Sequence, residues 1–296
     1  MKMKFLIASL VATSAFHAFG QTLDTNRIDQ ITGLTGKFNQ AENVYKISSP
    51  RTDVKISVDE WQMPPFMGLT SWAAFTPGKT SPVMVMGDLV LFQDEVNPVL
   101  SAALNGGLDV TALHNHFFFD DPKVYFMHIA AEGEVEKLSQ AVRATLDTVK
   151  QIRAANSVPA RSFGKTLPAK SALTAEPLQK ILDAKGESKD GMFKAVFGRK
   201  AKMSCGCEVG KEMGVNTWAA FAGTDDNALV DGDFVVLETE LQGVLKSLRS
   251  SGVNIVAIHH HMSGEEPRYL FLHYWGRGRA ADLAKAIKVA LDRQPK

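Results

Sequence analysis

Residues 87–116 read GDLVLFQDEVNPVLSAALNGGLDVTALHNH, and residues 232–261 read GDFVVLETELQGVLKSLRSSGVNIVAIHHH. The two stretches stay in one register without a gap as far as Asp147 and Asp292, and 18 of the 61 aligned positions are identical. Upstream, MGLTSWAAF at 67–75 matches MGVNTWAAF at 213–221. A register of this length between the two halves of a chain indicates an internal duplication.

Each copy predicts the same order of elements. An opening helix at about residues 23–35 and 175–185 is followed by strands near 54–59 and at the WAAF motifs. A second long strand leads into a helix for which Asp94 and Thr239 are the predicted N-caps. A strand carrying two histidines, another strand and a final helix complete the copy. This order predicts an α+β fold, two tandem copies of a β-β-α-β-β-α sandwich, packed as a pseudo-dimer by analogy with symmetric homodimers.

The chain ends and a polar segment between the copies give the predicted boundaries. Lys2 and Lys4 precede the apolar run 5–16, which is typical of a signal peptide cleaved before Gln21. No cysteine lies near this cut, and no later run reaches 18 apolar residues, so we expect a periplasmic or secreted protein without a transmembrane segment. The predicted parts are a signal peptide (1–20), a first unit (21–155), a linker (156–174) and a second unit (175–296).

The overall composition and net charge limit the classes of binding partner that we expect. Hydrophobic residues make up 45% of the chain, which is ordinary for a globular protein. With 33 basic and 32 acidic residues, the net charge of +1 gives no reason to expect nucleic acid as a partner. A small molecule or a component of the cell envelope is the partner class left open.

Seven of the eight histidines fall in two equivalent groups. His114 and His116 lie two apart on a predicted strand, so their side chains share a face. In an antiparallel hairpin with the next strand, His128 should lie opposite Ala112 and diagonal to His114. The second unit repeats this pattern with His259, His261 and His273. Three neutral imidazoles are common ligands of a divalent transition metal, zinc first and copper or nickel as alternatives.

Acidic residues accompany each histidine group. Asp120 and Glu265 follow the H-x-H motifs at equivalent positions and are candidate further metal ligands. Asp88 and Asp233 follow a glycine in a strand and are candidates to orient a histidine, although a Gly-Asp pair is also typical of a bulge or turn.

The motifs VTALHNH, GDLVL-x3-EVNPV and SWAAF resemble those of the mycobacterial LppY and LpqO lipoproteins. That family is defined by a domain of unknown function that often occurs in two copies. The resemblance covers most of the chain after residue 20 and implies an envelope or secreted protein without an established activity.

Three functions remain open from the sequence: a binding protein whose histidines hold a metal or a small polar ligand, a metal-dependent hydrolase acting on an envelope substrate, and an interaction module with structural histidines. Whether the chain is an enzyme is therefore undecided. Cys205 and Cys207 are equally open: a free pair in a buried strand, a strained C-x-C bridge, or a soft-metal site with Met203 or Met213.

Overall fold

The computed structural model describes residues 23–164 and 166–294. The predicted signal peptide and its cleavage site lie outside the described residues. The elements of the first unit, in chain order, are α1 (Thr25–Thr32), β1 (Lys37–Asn39), β2 (Val44–Pro50), β3 (Ser57–Val58), β4 (Trp61–Gln62), a 3-10 turn (Pro65–Met67), β5 (Thr70–Pro77), β6 (Val83–Phe92), α2 (Gln93–Asn105), β7 (Asp109–His114), β8 (Asp120–Asp121), β9 (Val124–Gly133) and α3 (Val135–Ala155).

The second unit repeats this order element by element. Its elements are α4 (Ala175–Leu182), β10 (Gly186–Lys189), β11 (Met192–Gly198), β12 (Ala201–Met203), β13 (Glu208–Val209), a 3-10 turn (Lys211–Met213), β14 (Asn216–Gly223), β15 (Ala228–Leu237), α5 (Glu238–Ser250), β16 (Asn254–His259), β17 (Glu265–Glu266), β18 (Tyr269–Gly278) and α6 (Ala280–Leu291). Among the described residues, no helix has both the length and the apolar character needed to cross a membrane.

One antiparallel sheet of twelve strands runs through both units, in the order β1-β2-β5-β6-β9-β7-β16-β18-β15-β14-β11-β10. The order is the same from either end when equivalent strands are exchanged. The units meet where β7 pairs with β16 at Leu113 and Ile258. The mixed α+β class is therefore confirmed, whereas the packing of the two copies as a pseudo-dimer stays a prediction.

The sheet separates two layers of different kind. Side chains that alternate along the long strands, such as Val85, Leu89 and Leu91 of β6, pack with the helices in one extended core. On the opposite face each unit carries a small three-stranded sheet, β4-β3-β8 or β13-β12-β17. Val90 and Phe92 of β6 pack beneath the first of these sheets. Both histidine groups belong to this second face.

Two expectations about local structure are wrong. The strand predicted at 54–59 covers only Ser57–Val58, and the strand that pairs with β5, β2 (Val44–Pro50), was not predicted. Helices α2 and α5 begin one residue before Asp94 and Thr239, after Phe92 and Leu237. The cap comes from the third helical residue, because Glu95 and Glu240 accept hydrogen bonds from the backbone N–H groups of Phe92 and Leu237.

The same two glutamates form ion pairs. Glu95 is fully buried and pairs with Arg51 at 2.7 Å and with Arg153 at 2.9 Å. Glu240 pairs with Arg199 at 2.5 Å. Arg51 and Arg199 directly follow β2 and β11, and Arg153 lies in α3, so these ion pairs fix the starts of α2 and α5 to neighbouring elements.

Side-chain amides join the two units beside the β7–β16 pair. Each of these strands has a bulge, at Val110/Ala112 and at Ile255/Ala257. The amide of Asn97 in α2 accepts from the Ile255 N–H at 2.7 Å and donates to the Ile255 carbonyl at 3.1 Å. Gln242 in α5 makes the equivalent pair of bonds to Val110, both at 3.0 Å. Each unit thus satisfies backbone groups of the other at equivalent places.

Candidate functional site

The hairpin geometry that the sequence predicted is confirmed in both units. His128 lies opposite Ala112 in the β7–β9 ladder, and His273 lies opposite Ala257 in the β16–β18 ladder. His114 and His259 end their strands on the same face, two residues further on. The three histidines of each unit therefore gather on the face opposite the helices, next to the small sheet.

In the first unit the histidines His114, His116 and His128, here the first cluster, form a stack. The Nε2 atoms of His114 and His128 lie 3.1 Å apart. The ring of His116 lies parallel to Phe126 with 3.4 Å between ring centres, and 5.1 Å from the ring of His114. Two ring nitrogens thus converge, while the third imidazole is held by an aromatic side chain.

Asp88 lies beside the first cluster, opposite His128 in the β6–β9 ladder. Its Oδ1 atom is buried and has no hydrogen-bond partner. Burial raises the pKa of Asp88 despite the opposing effect of the three nearby histidines. Burial, followed by the neighbouring His114, lowers the pKa of His116. Both shifts show that charge is poorly solvated here.

In the second unit a carboxylate joins the histidines directly. Asp233 Oδ2 lies 3.0 Å from His261 Nε2, and the Asp233 side chain is only 2% exposed. Asp233, His259 and His261, here the second cluster, each offer one ligand atom, and these atoms lie within 4.8 Å of one another. Across residues 23–164 and 166–294, this is the one group of three or more such side chains that meets.

Two atoms of the second cluster lack partners. Asp233 Oδ1 and His259 Nδ1 are both buried without a hydrogen bond. Burial lowers the pKa of His259, as does the neighbouring His273, while Asp233 opposes this shift. A histidine with a lowered pKa is neutral at pH 7, which is the form that binds a metal.

His273 has the predicted position in the hairpin but does not join the group of possible ligand atoms. Its ring stacks on His259 with 4.9 Å between centres, but its Nδ1 atom faces the carbonyl oxygen of Gly232 at 3.3 Å. It supports His259 and is not a member of the second cluster. Asp233, predicted to orient a histidine, instead stands among the possible ligands.

The acidic residues of the turns also differ from expectation. Asp120 accepts a hydrogen bond from the Val124 N–H at 2.6 Å, and Glu265 accepts one from the Tyr269 N–H at 3.1 Å. Both carboxylates thereby hold the turn into the following strand, and Glu265 is absent from the second cluster. Their role as metal ligands stays a prediction, and their observed partners are backbone groups.

The central residues of the H-x-H motifs face away from the clusters and bond to the neighbouring strand. Asn115 donates to the carbonyl oxygen of Val124 at 2.9 Å, and His260 Nδ1 lies 3.2 Å from the carbonyl oxygen of Tyr269. These contacts fasten the end of the histidine strand to the next one.

The glycine of each Gly-Asp pair is explained by close strand packing and not by a bulge. Gly232 lies in the unbroken β14–β15 ladder, and a Cβ atom there would meet the Tyr274 hydroxyl at 2.2 Å and the Trp218 carbonyl oxygen at 2.3 Å. The hydroxyl of Tyr274 donates to that same carbonyl at 2.8 Å. The glycine makes room for this bond, and the next residue, Asp233, is brought to the cluster.

A cavity of about 360 Å³ opens beside His261. It is bounded by Lys194, Lys211 and Trp218 as well as by Asp233. One side of the second cluster is therefore accessible from outside, while Asp233 is buried beneath it.

The cysteine pair lies in the turn between β12 and β13, and both thiols are free and exposed. The expectation of a pair in a buried strand is wrong, because the chain reverses at Gly206, whose φ of 82° favours glycine. The Cys207 N–H donates to the Cys205 sulfur at 3.4 Å.

Sequence analysis missed two residues near the second cluster. Asp231 and Trp275 lie directly opposite each other in the β15–β18 ladder and line a large cavity with His273. The signal was present, since Asp231 lies two residues before Asp233 and Trp275 two residues after His273. Residues two apart on a strand share a face.

Comparisons with known proteins give a family and no activity. A family model described as Domain of Unknown Function (DUF1259) matches residues 26–148 and again residues 176–293. No curated protein sequence matches the chain. Among solved structures, EtuB from Clostridium kluyveri is 10% identical, with 87% of this chain and 90% of that chain covered and a TM-score of 0.22. The trimeric bacterial microcompartment shell protein PduB is 12% identical, with coverage of 87% and 89% and a TM-score of 0.19. Both TM-scores are too low to support an argument about fold or function.

Proposed function

We propose that this chain, which belongs to the family described as Domain of Unknown Function (DUF1259), is a binding protein for a divalent transition metal, with zinc as the preferred ion. The second unit holds the stronger site, formed by Asp233, His259 and His261. Copper and nickel are the alternative ions, since imidazole and carboxylate ligands serve all three.

The meeting of three ligand atoms within 4.8 Å carries this proposal. Two imidazoles and one carboxylate are a donor set typical of zinc, which keeps a further position open when the protein supplies three ligands. The buried and unpartnered Asp233 Oδ1 and His259 Nδ1 support the fit, because an unsatisfied buried polar atom is costly unless it gains a partner.

The first unit holds a weaker site in this proposal. His114 and His128 bring two nitrogens to 3.1 Å, close to the spacing of about 3.4 Å between two nitrogens on one tetrahedral zinc ion. Asp88 is less deeply buried than Asp233, and no carboxylate–histidine contact like that between Asp233 and His261 joins the first cluster in the described residues.

Calorimetric titration of demetallated protein with zinc, copper and nickel tests the proposal. At about pH 7.5, above the ordinary histidine pKa of about 6.5, we expect one tight and one weak site. His261→Ala should remove the tight site, whereas the matched variant His116→Ala in the first unit should leave it intact. Absence of binding for all three ions, or loss of the tight site in His116→Ala alone, would contradict the assignment.

Export to the envelope belongs to the same proposal. It is supported by the basic start, the apolar run 5–16 and the resemblance to LppY and LpqO lipoproteins. Mass spectrometry of the protein recovered from outside the cytoplasm should find Gln21 at the N-terminus. A chain that still begins at Met1 would count against export by cleavage.

A metal-dependent hydrolase is the second candidate function. The observation that favours it is the cavity of about 360 Å³ beside His261, which would give a substrate access to the open position of a three-ligand zinc site. Zinc at such a position lowers the pKa of bound water and polarises carbonyl groups. Hydrolysis of a generic ester by the zinc-loaded protein, lost in His261→Ala, would favour this candidate over simple binding.

A further inference from the structure

A cleft of about 550 Å³ lies between the two units, and it shares no lining residue with the cavity beside His261. One wall is the start of α2 with Tyr125 of the first unit, and the other is formed by β16 and β18 of the second unit. The volume is within the range of about 300–1,000 Å³ that is usual for small-molecule sites. Neither the metal proposal nor the family description accounts for it.

The linker crosses this cleft as a strap. The Ala160 N–H donates to Asp94 Oδ2 at 3.0 Å on the side of the first unit. On the other side, Arg277 of the second unit donates to the carbonyl oxygen of Gly164 at 3.4 Å. Residues 160–163 line the cleft between these two attachments. The linker therefore forms part of the cleft in addition to connecting the two units.

The duplication offers a comparison within the chain. At the constant spacing of 145 that relates the units, Asp231 corresponds to Met86, Trp275 to Ala130 and Arg277 to Glu132. Met86 is 52% exposed. The first unit thus has neither the carboxylate nor the indole at these two positions, so Asp231 and Trp275 are not required by the shared fold.

The side chains of the cleft combine aromatic surface with mixed hydrogen-bonding groups. Tyr125, Phe163 and Trp275 supply the aromatic surface, and Phe163 is 60% exposed. Asn254 and Asp231 supply donors and acceptors on the wall of the second unit. A lining of this kind fits a ligand that has a flat apolar face and hydrogen-bonding groups around its edge.

Two of the charged side chains in the lining have ionic partners, since Asp94 pairs with Arg153 and Arg161 pairs with Asp121 at 3.0 Å. Arg277 donates to the carbonyl oxygen of Gly164. An ionic ligand would have to compete with these partners. A ligand whose hydroxyl groups both donate and accept would instead add bonds without displacing any.

We propose that the cleft binds a short neutral saccharide, with one sugar ring stacked on Trp275 and its hydroxyl groups bonded to Asp231 and Asn254. His273 forms part of the same wall, so the ligand lies next to the second cluster. Saccharide binding itself requires no metal, and the two proposals can therefore fail independently.

Calorimetry with chitotriose, maltotriose and cellotriose as probes tests the inference on the full chain, with and without zinc. We expect at least one probe to bind with a dissociation constant below about 1 mM in both forms. Trp275→Ala should raise that constant by about 10-fold or more, while Trp275→Phe should bind nearly as well, because it keeps an aromatic face. The control Trp61→Ala removes a tryptophan that is 56% exposed on the small sheet of the first unit, and it should leave binding unchanged.

Tryptophan fluorescence provides a second readout that depends on position. The probe that binds should change the emission of the native protein, and this change should vanish in Trp275→Phe although calorimetry still detects binding. Failure of all three trisaccharides to bind would overturn the inference. An equal loss in Trp61→Ala and Trp275→Ala would do so as well, since it would indicate nonspecific stacking on exposed rings.

Discussion

Replacement of Asn97 by alanine tests the join between the two units. The Asn97 side chain is buried, and its amide satisfies both the N–H and the carbonyl of Ile255 at 2.7 and 3.1 Å. Removing the amide leaves two buried backbone groups without partners, and each such group costs about 1–3 kcal/mol. The expected loss is therefore about 2–6 kcal/mol, a large part of a total stability of about 5–15 kcal/mol.

Gln242→Ala is the matched control, because Gln242 makes the equivalent bonds to Val110 but is only partly buried. Water can replace its amide, so we expect a smaller loss of about 1–2 kcal/mol. Asn97→Asp should cost at least as much as Asn97→Ala at about pH 7, because it buries an ionised carboxylate with one oxygen against the Ile255 carbonyl oxygen. Urea unfolding followed by circular dichroism measures all three. A loss under about 0.5 kcal/mol for Asn97→Ala, or equal losses for Asn97→Ala and Gln242→Ala, would refute the reasoning.

Three further predictions follow from individual residues. Asp233→Asn should weaken tight zinc binding at least about 100-fold in calorimetry, or roughly 2.7 kcal/mol at 1.36 kcal/mol per tenfold. The control Asp88→Asn should leave the tight site unchanged, and equal effects of the two variants would count against an unequal pair of sites. Gly232→Ala should lower the free energy of unfolding by about 1–3 kcal/mol, because its Cβ would lie 2.3 Å from a carbonyl oxygen of β14. The control Gly243→Ala in helix α5 should be neutral or stabilising, because a Cβ there meets nothing within 4 Å. The reverse order in thermal or urea unfolding would show that strand packing does not require Gly232. The metal-free protein should lose stability as the pH falls from 7 through about 6.5, because burial lowers the pKa of His259 in the folded state and the unfolded chain then binds more protons. In His259→Gln this part of the pH dependence should disappear. An unchanged profile of stability against pH would contradict the prediction.

The hairpins that carry the histidines could be predicted from the sequence because their information is local. Residues that lie two apart on a strand share a face, and a short connection between two strands fixes their register. His128 was therefore expected opposite Ala112, and it lies there. Because of the duplication, each element could be predicted from two stretches of the sequence. Helix positions followed for the same reason, from apolar periodicity and terminal glycines.

Other features depend on competition between distant partners, which a single sequence does not reveal. Nothing in the pattern indicates that Asp120 accepts a hydrogen bond from the Val124 N–H, or that β2 is the strand that pairs with β5. The single sheet that joins the units depends on which edge strands remain free, and the amides of Asn97 and Gln242 gave no signal of bonding across the join. The difference between the two clusters could not be predicted for the same reason, since it depends on how deeply Asp233 is buried by distant parts of the chain.

The continuous sheet also relates the two clusters to each other. Because Leu113 pairs with Ile258 in antiparallel strands, the following residues, His114 and His259, are diagonal neighbours across the join, at a spacing of about 7–8 Å. If both clusters bind divalent ions as proposed, the two ions would repel each other, because the residues that hold them are neighbours across the join and the Debye length is about 8 Å at physiological salt. Occupation of the second cluster, which has the buried Asp233 to offset charge, should therefore weaken the first cluster beyond its own poorer ligand set. The two units share the same histidines, and under the proposed function their junction would make the two clusters one asymmetric pair of sites.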